Sequence, residues 1–140
     1  MDDKQLILHF LQSKNLAVIS TVDESGQPQG AVIGFGQTDA LELIFGTFNS
    51  SRKYKNLLLD PHVAFTIGWD DSVTVQYEGT AREIQPDEWP IYAEMLFKKN
   101  AESEKYRDHP EERLFLVTPK WIRYSDLATE PWTIKELTFS

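Results

Sequence analysis

LELIFGTFNSSRKYKNLLLDPHVAFTIGW, residues 41 to 69, reads as strand, loop, short helix and strand. Leu41, Leu43, Phe45 and Thr47 alternate with Glu42, Ile44, Gly46 and Phe48, the period-two pattern of a strand. Asn49, Ser50 and Ser51 follow, and their side-chain oxygens can accept the amide hydrogens that a helix start leaves unpaired. Tyr54, Leu57 and Leu58 recur at helical spacing, which gives a helix of roughly two turns one buried side. Pro61 ends it, because the residue before a proline is pushed out of the helical region. Val63, Phe65, Ile67 and Trp69 then share one face of a further strand.

The positive charge in this stretch sits in an odd position. Aligned peptide dipoles give a helix start roughly half a positive charge, so cations there are mildly unfavourable. The chain nevertheless puts Arg52 and Lys53 in the first turn, although its net charge is -8. Free amides, Ser hydroxyls and two cations together can hold a phosphate. A capped helix whose Arg and Lys point at solvent would show the same letters, and spacing alone leaves both readings open.

Upstream, residues 2 to 14 read as a helix that Asp2 or Asp3 can cap, with Leu6, Ile7, Phe10 and Leu11 as its apolar stripe. Leu16 to Val22 and Gln29 to Gly36 are strands joined by turn chemistry at Asp23 to Pro28, a hairpin. Gly30, Gly34 and Gly36 fit either a barrel corner or a close approach by backbone or ligand. Downstream, Val73 to Ile84 is a long strand interrupted by Gly79, consistent with a bulge. Residues 85 to 106 read as mostly helical, with Trp89, Ala93, Leu96 and Phe97 on one face. The charged run 98 to 113 reads as a solvated face and loop. Leu114 to Thr118 and Trp121 to Leu127 are strands around Pro119, and Trp132 to Phe139 is a last strand or an irregular tail. The expectation is a mainly β chain with flanking helices. It is a barrel of about six or seven mostly antiparallel strands, in one domain spanning residues 1–140.

Composition narrows the function. Hydrophobic content of 41% and charged content of 26% are those of an ordinary soluble globule. The acidic balance argues against nucleic acid or an anionic membrane as partner. The absence of Cys excludes disulfides and thiol chemistry and fits a cytoplasmic location. Acids stand where a signal peptide would carry basic residues, and no apolar run approaches ~20 residues. His9, His62 and His109 are scattered, so neither a catalytic triad nor a metal site is expected. Any chemistry would belong to a bound cofactor.

The Thr47 and Ser51-Arg52-Lys53 segment resembles the phosphate-binding segment of the pyridoxamine 5'-phosphate oxidase-like family, the flavin-binding split barrels. The likeness extends to Ala17–Pro28, Asp60–Val63 and Tyr77–Ala81, and covers roughly residues 5 to 127. It implies a split barrel that binds flavin mononucleotide (FMN). Thr47, Ser51, Arg52 and Lys53 would lie at the phosphate, and Gln76 and Trp121 would also contact the cofactor. It further implies a homodimer with the cofactor at the subunit interface, and a small-molecule substrate. True pyridoxamine phosphate oxidases carry Arg and Lys on the second strand of the first hairpin, where Ala31 and Gly36 stand here. They also end in an Arg-x-His-x-Arg motif, whereas this chain reads Pro131-Trp-Thr-Ile-Lys-Glu136. An FMN-dependent oxidoreductase similar to the general stress protein branch is therefore expected, and pyridoxamine 5'-phosphate oxidation is not. The alternatives are a flavin or heme-like ligand storage protein and a deazaflavin-dependent reductase.

Overall fold

The computed structural model describes all 140 residues. Its elements run α1 (Asp3–Gln12), β1 (Leu16–Val22), β2 (Pro28–Gly34), β3 (Gly36–Gln37), β4 (Leu43–Phe48) and α2 (Arg52–Leu59). They continue through β5 (His62–Ile67), β6 (Val73–Glu83), α3 (Trp89–Lys99), α4 (Ala101–Glu104), β7 (Glu112–Asp126) and β8 (Thr133–Thr138). The strands form one antiparallel sheet in the order β2-β1-β5-β6-β7-β4-β3, with β8 added to β7. The sheet curls into a split barrel with four flanking helices. No helix is long and apolar enough to cross a membrane.

Alternation of residues along the strands builds two cores. The barrel interior gathers Ile19, Phe45, Phe65, Val75, Tyr77 and Phe115 among others. Phe45 stacks on Phe115 at 5.4 Å, and Phe65 meets Tyr77 edge-on at 5.7 Å. The Tyr77 hydroxyl donates to the Leu41 carbonyl at 2.7 Å, so this polar tip is satisfied inside the core. Ile44, Leu114 and Leu116 point the other way and meet Ala93, Leu96 and Phe97 of α3. That second core explains why Leu43, Ile44 and Phe45 are all buried, where simple alternation would expose one face.

Several expectations shift. There are eight strands rather than six or seven, because β3 is only two residues long and the C-terminal segment is a strand, β8. The segments flanking Pro119 are one strand, β7. Pro119 sits opposite Gly79, where the β6 register shifts, and a bulge tolerates a residue with no amide hydrogen. The first strand of the opening stretch begins at Leu43, because Leu41 has φ 66 and belongs to the preceding turn. Trp69 leaves the face of Val63, Phe65 and Ile67. It follows Gly68, at φ +85, and is 51% exposed. Leu58 faces solvent, and Asn56 takes the buried side of α2 with Leu57. Gly34 and Gly36 mark close approach, since a Cβ on either would press on Asn100 or on the α3 backbone at Leu96.

Candidate functional site

The split is where two strand edges go unpaired. β3 covers only Leu43 and Ile44 of β4, so Gly46, Thr47 and Phe48 pair with β7 alone. At the other end of the sheet, Val32, Ile33 and Gly34 of β2 pair with β1 alone. Between these edges lies a groove of about 250 Å³, also lined by Lys53, Tyr106 and Glu112.

α2 starts beside this groove and lines it with Lys53. Ser51 is its N-cap, and the Ser51 hydroxyl accepts the Tyr54 amide at 3.2 Å. The same oxygen lies 2.8 Å from the Thr47 hydroxyl, which is only 7% exposed. Helical geometry leaves the amides of Arg52 and Lys53 without intrahelical acceptors. The helix is pinned from below. The buried Asn56 amide donates to the Thr21 hydroxyl and the Gln29 side-chain oxygen, both at 2.9 Å. On its other flank, the Tyr54 hydroxyl donates to Glu83 at 2.6 Å.

The two cations diverge. Lys53 lines the groove, and burial, with the Arg52 charge adding to it, lowers its pKa. Arg52 lines a separate hollow with Asp23, Ser25 and Lys55 at the β1–β2 turn. Gln76 and Trp121 lie elsewhere again. Gln76 faces Arg123 across the β6–β7 ladder, and Trp121 faces Glu78, on the outer side of the sheet. Neither lines the groove. That outer side is largely uncovered: Val32 is 60% exposed, and a wide hollow of about 420 Å³ opens beside Ser20, Ala64 and Glu78.

Three groove residues escaped the sequence reading. Phe48 and Tyr106 form its aromatic wall, meeting edge-on at 5.5 Å, and Phe48 also stacks on His109 at 4.2 Å. Trp69 and Trp132 are exposed and line no part of it. Glu112 lies within the run read as solvated, yet it is only 7% exposed and burial raises its pKa to about 7. The one trace of it in the sequence is distant, at Gly46. A Cβ there would lie 2.6 Å from the Glu112 carboxylate, so the glycine makes room for it.

The family profile for pyridoxamine 5'-phosphate oxidase matches residues 4–126. A pyridoxine/pyridoxamine 5'-phosphate oxidase of Bordetella avium is 33% identical over 79 residues, 56% of this chain and 38% of that protein. The chain thus spans well under half the length of that relative. General stress protein 26 of Bacillus anthracis superimposes with TM-score 0.76 at 23% identity, covering 99% of this chain and 100% of that one. A pyridoxamine 5'-phosphate oxidase-related, FMN-binding protein of Nostoc punctiforme gives 0.72 at 15% identity, covering 97% and 95%. A heme-binding protein of Mycobacterium smegmatis gives 0.79 at 14% identity, covering 99% of this chain and 59% of that one. At these identities the superpositions show a shared fold.

Proposed function

The chain belongs to the pyridoxamine 5'-phosphate oxidase family, and from that premise we propose that it is an FMN-binding flavoprotein acting as an oxidoreductase on a small molecule. The observation that carries this reading is the polar set at the split. Thr47 and Lys53 line one groove in an acidic chain, with the Ser51 cap hydroxyl bonded to Thr47 and the start of α2 beside them. Those donors suit a phosphate, and the Phe48–Tyr106 wall suits a flat ring. Flavin would supply electron and hydride transfer. The protein would hold the phosphate, exclude water from the aromatic side and fix the cofactor's position.

The groove supports a half-site. Its volume falls below the ~300–1,000 Å³ of ordinary ligand pockets. We read the uncovered outer face of the sheet, with Val32, Gln76 and Trp121, as the surface a second copy covers, so that Gln76 and Trp121 reach the partner's cofactor. Arg52, in its own hollow, would then act on the phosphate mainly through charge. Pyridoxamine 5'-phosphate is not the substrate in this reading. Ala31 and Gly36 stand where the true oxidases carry Arg and Lys. A storage role finds support in the heme-binding protein of the same fold. The groove's donor set, however, suits a phosphate more than an iron.

The test is the absorbance spectrum of the purified protein and the mass of the ligand released by heat, which also separates flavin from deazaflavin and heme. Titration with FMN and riboflavin then probes the phosphate. One charge-assisted hydrogen bond is worth roughly 1.5–3 kcal/mol, so Lys53→Ala should weaken FMN about 10- to 150-fold and riboflavin little. Arg52→Ala should cost about tenfold or less. Equal FMN affinity for wild type and Lys53→Ala would overturn the phosphate assignment.

A further inference from the structure

Buried carboxylates are ordinarily paired or hydrogen-bonded. Glu112 is buried, and its carboxylate has no hydrogen bond and no ion pair. The Glu112 amide donates to the His109 carbonyl, and its carbonyl accepts from Arg113, but these are backbone groups. Lys53, on the same groove, forms no ion pair with it, and the two nearby arginines are engaged elsewhere. Arg107 forks onto Glu104 at 2.9 Å, and Arg113 lies 3.9 Å from Glu83 and donates to the Pro110 carbonyl. The Glu112 oxygens are not sealed in either, since the residue lines the groove at the split. Its side chain lies across Gly46, whose missing Cβ leaves the space for it, next along β4 to Thr47 of the hydroxyl pair.

We propose that Glu112 accepts hydrogen bonds from the hydroxyls of a polyol chain on the bound ligand, and so selects a ribityl-bearing flavin at this groove. The inference rests on the flavin reading above. A carboxylate beside a phosphate subsite repels a second anion, so the ligand group next to the phosphate must be a donor. In FMN the groups adjoining the phosphate are the ribityl hydroxyls, and each brings one O–H. Glu112 thereby distinguishes a phosphate tethered to a polyol from a bare phosphate or a carboxylate-bearing ring. Phe48 and Tyr106 would read the ring, Lys53 the phosphate and Glu112 the chain between them.

The probes are FMN, riboflavin and lumiflavin, whose ring carries a methyl group in place of the ribityl chain. Each is titrated by fluorescence quenching against wild type, Glu112→Gln and Glu112→Ala. The isosteric Gln variant guards against a fold too damaged to read. Glu112→Ala should weaken FMN and riboflavin at least tenfold and leave lumiflavin within twofold, with Glu112→Gln between. Unchanged FMN and riboflavin affinities in both variants, with wild type binding normally, would overturn this inference alone. An equal loss of lumiflavin would also overturn it, since that is general damage to the groove. Wild type binding none of the three would overturn the flavin reading, and this inference with it.

Discussion

Replacing Glu112 with Gln should stabilise the ligand-free protein at alkaline pH and not at acid pH. The sign follows from the direction of the shift. Burial raises the Glu112 pKa from 4.5 to about 7, so between those values the folded chain keeps a proton that the unfolded chain has lost. Stability therefore falls as pH rises through that window, and the penalty is complete above about pH 7. Each pH unit of such a gap is worth ~1.4 kcal/mol, which sets a ceiling of ~3 kcal/mol. The carboxylate still meets solvent in the groove, and screening brings the expected penalty to about 1–2 kcal/mol. Gln cannot titrate, so the advantage of the variant should be near zero at pH 4.5 and about 1–2 kcal/mol at pH 8. For a chain of this length that is roughly 3–6 °C in Tm. Lys53 and Tyr106 face Glu112 across the groove, and Glu83, Arg107, His109 and Arg113 across the hollow behind it. They are common to both proteins, so their titrations largely cancel in the difference. Thermal melts followed by circular dichroism from pH 4.5 to 8.5 read the difference directly. Parallel profiles, or a wild type more stable than the variant at pH 8, would refute the claim that a lone carboxylate is buried at this position.

Two further substitutions probe the frame of the groove. Asn56→Ala removes both bonds that tie α2 to β1 and β2 and leaves the Thr21 hydroxyl and the Gln29 oxygen without that donor. The loss should be about 1–3 kcal/mol in urea unfolding, with FMN affinity falling as the helix start loosens. Gly46→Ala drives a methyl group into the Glu112 carboxylate and should cost about 1–3 kcal/mol. Adding Glu112→Ala should recover part of that loss, and strict additivity in the double-mutant cycle would show that the two residues do not touch.

The parts of the fold legible in the sequence were those with local causes. Period-two alternation marked β4 and β5, and the break expected at Gly79 is a register shift against β7. The residue types at the start of α2 marked Ser51 as a cap, and the structure adds that the same hydroxyl is shared with Thr47. What was not legible depends on partners distant in sequence. Nothing near Glu112 announces that β7 will bury its side chain over Gly46, 66 positions earlier. Charged runs usually stay solvated, so a lone buried acid inside one carries no local mark. The divergence of Arg52 and Lys53 was equally hidden. Adjacent residues in a first turn point about 100° apart, and only the position of the β1–β2 turn decides that one of them meets Asp23.

The groove also explains why the barrel stays split. Unpaired strand edges ordinarily seek another strand, and β2 and β4 come close enough to frame one groove. Pairing them would close the barrel and leave no room for the side chains that now face the gap. Two of those side chains are perturbed by the same cause in opposite senses. Burial lowers the pKa of Lys53 and raises that of Glu112, so each is pushed toward its neutral form. An acid and a base lining one groove could relieve each other by pairing, which would restore both charged forms. They form no ion pair, and the Lys53 amine and the Glu112 carboxylate stay separate beside the Thr47–Ser51 hydroxyls. A groove kept in that state costs stability in the free protein. The cost is offset only by a ligand that brings an anion to the amine and donors to the carboxylate, and a phosphorylated polyol carries both on adjacent carbons.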